Sequence, residues 1–193
     1  TTFADGEAAV NVIGKPDYTT LNGVITQSNL SASRVFDYDE GSNRLFVGGQ
    51  ARVIIFDVST ITDGENAVNL LGQTLYTGSA FGAANMQLGF VYGVYLDTTT
   101  NYLYVTDSNN RVGVFDMTVI VDTEPVIDIL GQTQNNDGVT DQYSISNTND
   151  SPGPNGFWFG TGSGPGSIAV DTVNHRMFVP DRGNHRVLIF NLD

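Results

Sequence analysis

Three aspartates, Asp39, Asp97 and Asp171, stand six residues ahead of Leu45, Leu103 and Met177, each at the head of a polar, turn-rich stretch. Converging carboxylates suit calcium, which takes several oxygen ligands. Aspartates so placed can also accept hydrogen bonds from the backbone of the tight turn that follows them. All three hold one position of a repeated pattern, and a catalytic site would break that symmetry, so the turn role is the reading taken forward. Arg52, Arg111 and Arg186 also recur in register. With Asp107 and Asp181 they read as ion pairs across a hairpin or between units, the alternative being an anion-binding ring. Asp37 departs from the pattern, because Tyr95 and Ala169 hold its place in the other units. It is either a lone carboxylate facing a channel, and so a metal candidate, or a solvated one.

The remaining chemistry-bearing residues are few. His175 and His185 lie in two Asn-His-Arg triplets, 174–176 and 184–186. Zinc takes three or four ligands, and two histidines without cysteine need a carboxylate or a second chain to complete a site. They read as turn residues. No G-x-S-x-G nucleophile elbow occurs, and the glycine-rich run 160–166 precedes a strand pattern rather than a helix, so no phosphate loop is assigned either. No catalytic residue is identified. One connection is unusually long: 40 residues separate Gly131 from Asp171, against 25 from Gly72 to Asp97. This insertion, 133–165, is the candidate ligand loop. Asn135, Asn136, Asp137 and Asp141 make it oxygen-rich without the spacing of an EF-hand, and Asp137 and Asp141 are further metal candidates. Trp158, the single tryptophan, stands between Phe157 and Phe159. The trio could stack on a sugar ring or another subunit, or could plug the loop.

The elements that carry these residues repeat. DYDEGSNRLFVGGQARVIIFDV, YLDTTTNYLYVTDSNNRVGVFDM and AVDTVNHRMFVPDRGNHRVLIFNL align throughout, with Val47, Val105, Val179 and then Phe56, Phe115, Phe190 in register. AVNVIGK, AVNLLGQ and VIDILGQ place Gly14, Gly72 and Gly131 at intervals of 58 and 59 residues. Self-similarity at such a period marks a repeat architecture. In the second unit the strands are expected near Val94–Leu96, Tyr102–Thr106, Arg111–Asp116 and Val126–Leu130, separated by Asp-, Asn- and Thr-rich turn signals. No window carries a sustained 3.6-residue apolar period, so little or no helix is expected. The predicted fold class is all-β: a β-propeller of four-stranded antiparallel blades, three to the chain. Residues 1–193 form a single repeat domain, with blade one over 33–73, blade two over 91–132 and the inner strands of blade three over 166–193.

The string DRGNHRVLIF (Asp181 to Phe190), with SIAVD before it, resembles the NHL repeat, and it also resembles the tandem NHL-type arrays of large bacterial surface proteins, whose blades end in a V-L-G-Q strand. The resemblance covers essentially the whole chain and is strongest in the third unit. The second keeps Asp107 and Asn110, and the first departs most, with Gly48-Gly49-Gln50-Ala51 where the motif has Asp-x-Gly-Asn. NHL-type lyases use several histidines around their channel, which this chain lacks. The resemblance implies a six-bladed ring.

Strand order is offset against the blades. The outer strand 8–15 comes first, without the three inner strands of its own blade, and the strands ending at Asn191 lack an outer one. Three blades cannot close, since propellers take about four to eight. A second chain would complete six, with Val10, Asn11, Val12, Ile13 and Gly14 of each copy paired to Val187, Leu188, Ile189 and Phe190 of the other in a two-fold arrangement. A strand-donated surface filament and a fragment of a longer ring are the alternatives.

Eight basic residues against 21 acidic give a formal net charge of −13. Such a chain is repelled by nucleic-acid phosphate and by anionic lipid, and no apolar run reaches the ~18 residues of a membrane span. Neither nucleic acid nor membrane insertion is expected. There is no cysteine, and two N-x-S/T triplets occur, at Asn29 and Asn149. The expected function is a non-catalytic, extracellular or cell-surface bacterial module whose main partner is itself. The rivals are a calcium-dependent propeller hydrolase or lyase, with calcium as cofactor, and an adhesion module that binds a glycan or a surface protein through 133–165.

Overall fold

The computed structural model of the chain describes residues 4–21, 23–82, 86–131, 154, 156–159 and 166–192. Eleven strands run in chain order: β1 (Val35–Asp39), β2 (Arg44–Gly48), β3 (Val53–Asp57), β4 (Asn69–Leu71), β5 (Val91–Asp97), β6 (Tyr102–Asp107), β7 (Arg111–Asp116), β8 (Asp128–Leu130), β9 (Ala169–Asp171), β10 (Arg176–Asp181) and β11 (Arg186–Asn191). Among the described residues there is no α-helix, only a single 3-10 turn over Arg182–Asn184.

The turns explain why each strand folds back on the one before. Asn43, Asn101 and His175 hold one repeated corner at φ 53°, 59° and 51°, and Ala51, Asn110 and His185 hold the next at 56°, 57° and 54°. Asparagine and histidine are among the non-glycine residues that tolerate this left-handed region best. Before the first corner an aspartate takes up the free amides of the turn. Gly41 N–H donates to Asp39 Oδ1 at 2.9 Å, Thr99 N–H to Asp97 Oδ1 at 2.8 Å and Asn174 N–H to Asp171 Oδ1 at 3.0 Å.

The product is three antiparallel sheets of sequential neighbours, β1-β2-β3-β4, β5-β6-β7-β8 and β9-β10-β11. Equivalent residues pair in equivalent places: Leu45 with Phe56, Leu103 with Phe115 and Met177 with Phe190. A β-bulge between Val91 and Gly93 is the one register shift in the second sheet's first pairing. The fourth strand of the second unit begins at Asp128 rather than at the expected Val126. Residues 10–14 form no strand ladder among the described residues, which differs from the expected outer strand. The physical reason is visible in β4 and β8, each of which exists as a strand because β3 or β7 lies beside it.

The sheets stack face to face. Phe46, Val53, Ile55 and Leu71 of the first are buried with Leu88, Val91, Val94 and Val105 of the second. Tyr104, Val112 and Val114 of the second are buried with Phe157, Ile168, Met177 and Val179 around the third. The remaining face of the first sheet, with Val47, Ile54, Phe56 and Leu70, packs on Ile13 and Leu30. A four-stranded sheet cannot bury both of its faces alone, and stacking on a neighbour is what each one gains. The sheets meet along their first strands, β1 beside β5 and β5 beside β9.

Candidate functional site

The repeated arginine anchors a repeated plug. Arg111, buried in the second sheet, donates from Nε to Asp107 Oδ2 at 3.1 Å and from Nη2 to the Gln87 carbonyl. Arg186 donates from Nε to Asp181 Oδ2 at 2.7 Å and from Nη2 to the Gly156 carbonyl at 3.0 Å. Both aspartates are buried and are held further by backbone amides, from Gly89 at 3.0 Å for Asp107 and from Trp158 at 2.7 Å for Asp181. Arg52 has no carboxylate at this place: the residue facing it across the hairpin is Gly49, while Gly48, which the motif alignment set there, pairs with Val53 as Thr106 does with Val112. It donates instead to the carbonyls of Asn29, at 3.1 Å, and Tyr76. Burial pushes its guanidinium down to about 10, which leaves it charged at neutral pH. Ion pairing across the hairpin is therefore observed in two units of three.

The carbonyls so gripped, of Asn29, Gln87 and Gly156, each precede an apolar residue: Leu30, Leu88 or Phe157. Each of these lies over one of the three aligned glycines, Gly14, Gly72 or Gly131, all at φ 86° to 87°. A Cβ on Gly72 would stand 2.7 Å from Leu88 Cδ1. This plug is absent from the motif reading, although its signal, a hydrophobic residue 16 residues past the glycine in the first two units, is present in the sequence.

Phe157, Trp158 and Phe159 thus belong to this construction. Phe157 and Phe159 are buried and stack at 5.3 Å, and Phe190 meets Phe157 edge-on at 5.6 Å. Trp158 is 38% exposed, with its ring against Gly183 and its carbonyl accepting from Gly183 N–H at 2.7 Å. Phe157 and Phe159 are core residues against the third sheet, and Trp158 between them keeps part of its ring in solvent. Asn135, Asp137 and Asp141, with Asn136 and Asn149, lie outside the described residues.

Asp37 is neither fully solvated nor free. Its Oδ2 accepts from Leu96 N–H at 2.6 Å, which ties β1 to β5. Tyr95, beside it, has its phenol raised above the ordinary value by burial first, then by Asp97 and Asp37. His175 and His185 are exposed turn residues. Among the described residues no group of three or more His, Asp or Glu is placed to hold a metal ion, and no helix is long and apolar enough to cross a membrane. The Asn29 side chain of the first N-x-S/T triplet accepts from Lys15 Nζ at 2.7 Å.

The predicted assembly residues lie at opposite ends of the stack. Residues 10–14 rest on the first sheet. Val12 N–H donates to Asp63 Oδ1 at 2.9 Å, Asn11 Nδ2 to the same oxygen at 3.2 Å, and Leu30 N–H to the Gly14 carbonyl at 2.9 Å. The same scheme holds β4 to the second sheet, with Leu70 N–H and Asn69 Nδ2 donating to Asp122 Oδ1 at 3.0 and 3.2 Å. Thus 10–14 occupies, relative to the first sheet, the place of β4 relative to the second. At the other end Val187 to Phe190 lie on β11, which among the described residues pairs on one side only, with β10. No protein-family model matches the chain, and no curated protein shows significant similarity to it.

Proposed function

We propose that the chain is a non-catalytic association module: three NHL-like propeller blades whose open ends join to another copy by strand addition. One observation carries this. β3 and β7 each have an outer strand, β4 or β8, on the side away from the sheet's first strand. The equivalent strand β11 has none among the described residues, while residues 10–14 have the sequence of an outer strand and form no ladder. An unpaired strand edge is a template for another chain, and main-chain pairing of an added strand is an established way of joining proteins.

The blade reading draws support from three sheets of one pattern stacked face to face and meeting along their first strands. Two such chains would supply six blades, within the range in which propellers close. The same resemblance suggests an extracellular or cell-surface setting.

Mass in solution tests the proposal, measured by light scattering behind size-exclusion chromatography on the whole chain and on one lacking residues 1–14. A species of about twice the 20.7 kDa chain, or a longer series, that disappears on truncation is the expected result. A folded monomer at high concentration in both cases removes the proposal.

A further inference from the structure

Taking the association reading as its starting point, we propose that the two ends of the stack are the halves of one preformed sheet-to-sheet interface, closed head to tail by a second copy. Strand pairing is then the smaller part of it. Two apolar faces and a cavity complete it.

The internal interfaces show which residues a following sheet covers. Val53 and Ile55 on β3, and Val112 and Val114 on β7, are buried against the next sheet. Val187 and Ile189 hold the same places on β11 and are each 59% exposed. The opposite end shows the converse. Val94 and Ile168, on or just before the first strands of the second and third sheets, are buried against the sheet before. Phe36 holds their place on β1 and is 73% exposed. Each side chain is of the kind that is buried in the other units, and each is exposed at an end of the three described sheets.

A cavity of about 350 Å³ at the head is lined by Ile13, Gly14, Lys15 and Leu30, among others. The corresponding residues one unit on, Gly72, Gln73 and Leu88, enclose the turn of the preceding sheet. There Gln73 Nε2 donates to the Ala51 carbonyl at 2.9 Å, and the same oxygen lies 3.0 Å from where a Cβ on Gly72 would stand. His185 is the third unit's counterpart of Ala51, in the same left-handed conformation at φ 54° against 56°. The cavity is therefore the seat of a partner's His185, and Lys15, in the place of Gln73, is the donor to its carbonyl.

The register follows from the two existing ladders. Val53 pairs with Leu71, Ile54 with Leu70 and Ile55 with Asn69, and likewise Val112 with Leu130, Gly113 with Ile129 and Val114 with Asp128. The intermolecular pairs are Val187 with Ile13, Leu188 with Val12 and Ile189 with Asn11. Residues 10–14 need not swing out to make them, because Asp63 already fixes them on the first sheet with the inner edge outward. A second copy fits better than an unrelated protein, since both halves match one internal interface residue by residue.

The chain has no cysteine, so an engineered disulfide reads the register directly. Facing residues in an antiparallel pair have Cα atoms about 4.5–5.5 Å apart, within disulfide reach. The double variant Asn11→Cys/Ile189→Cys is expected to link covalently between copies under mild oxidation, as a pair or a ladder on a non-reducing gel. Asn11→Cys/Leu188→Cys, one residue out of register, is expected to link at least tenfold less. Ile189→Asp is expected to weaken association at least tenfold without lowering the melting temperature of the single chain, because Ile189 is exposed there. Association by light scattering with no linking, or with equal linking of both double variants, overturns this interface while leaving self-association standing. A chain that stays monomeric and does not link overturns both.

Discussion

Asp107 and Arg111 form an ion pair with both side chains out of water, 0% and 2% exposed. Removing one member of such a pair strands the other's charge, at a cost of about 3–5 kcal/mol. Asp107→Ala is expected to lose stability on that scale in urea unfolding, since Gly89 and Asn109 amides lose their acceptor as well. The first unit invites the opposite experiment, restoring its missing carboxylate with Gly49→Asp. There is no room for it: a Cβ at Gly49 would stand 2.7 Å from the Ser31 carbonyl oxygen. The variant is expected to destabilise by about 1–3 kcal/mol, the usual cost of overfilling a packed site, despite supplying the carboxylate that the other two units hold. Exposed turn carboxylates act differently. Asp57 is lowered to about 2, first by the Ser59 hydroxyl and amide and then by Arg44, and Asp17 to about 2 by Thr19 and Thr20. Asp116 is lowered by the Thr118 hydroxyl and amide, and Asp171 by Arg176 first and then by Asn174. A depressed native value means that the unfolded chain binds protons first as the pH falls. This contribution is complete above the unfolded value of 3.8 and is lost as the pH falls through about 2. The urea midpoint should change little from this source between pH 7 and 5, then drop steeply from about pH 4 to 2.

At the scale of the element, the glycine ending each outer strand does two jobs. It takes φ near 86°, where a side chain costs about 1–2 kcal/mol, and it leaves space for Leu88 or Phe157 to lie on the strand end. Gly72→Ala is expected to cost about 2–4 kcal/mol in urea unfolding, strain and overpacking together. Gly6→Ala, with the same sign of φ but nothing within 4 Å, is expected to show only the smaller strain cost. The aligned glycines were legible in the sequence, as were the strands of the three sheets though not the absence of a ladder at 8–15, because alternation and turn residues are local signals that do not depend on which sheet lies opposite. The Asp39, Asp97 and Asp171 turns were legible for the same reason. For Leu30 and Leu88 the sequence holds only a shared spacing of 16 residues from the glycine, and Phe157 breaks it, so their role shows only in the contact with a glycine of another element. Asp37 is a third case. Its exception to the repeat was visible, but its bond to Leu96 joins two sheets, and a carboxylate's partner across a stack of sheets leaves no trace in spacing. Trp158 drew notice for its rarity, while the work of that segment falls to its neighbours Phe157 and Phe159, buried at 0% exposure.

For the whole molecule, two forces of different range meet when copies approach. Each carries −13, so the long-range field is repulsive, and salt screens it over about 10 Å at 0.1 M and about 3 Å at 1 M. The end faces themselves are apolar, with Phe36 on one and Val187 and Ile189 on the other, and burial of apolar surface does not weaken as salt rises. An association driven through these faces should therefore tighten between about 0.02 and 0.5 M sodium chloride, chiefly through a faster association rate, because steering acts on encounter rather than on the docked contact. Lys15 is the one cation in the proposed interface, where its acceptor would be a neutral carbonyl, so its part of the contact should depend little on salt. Sedimentation velocity across that range measures the trend. Tightening with salt fits apolar faces brought together against like charge. Weakening with salt would mean that ion pairs hold the copies together, and the contact would then have to be sought away from Phe36 and Ile189, where the acidic and basic side chains of this chain can meet.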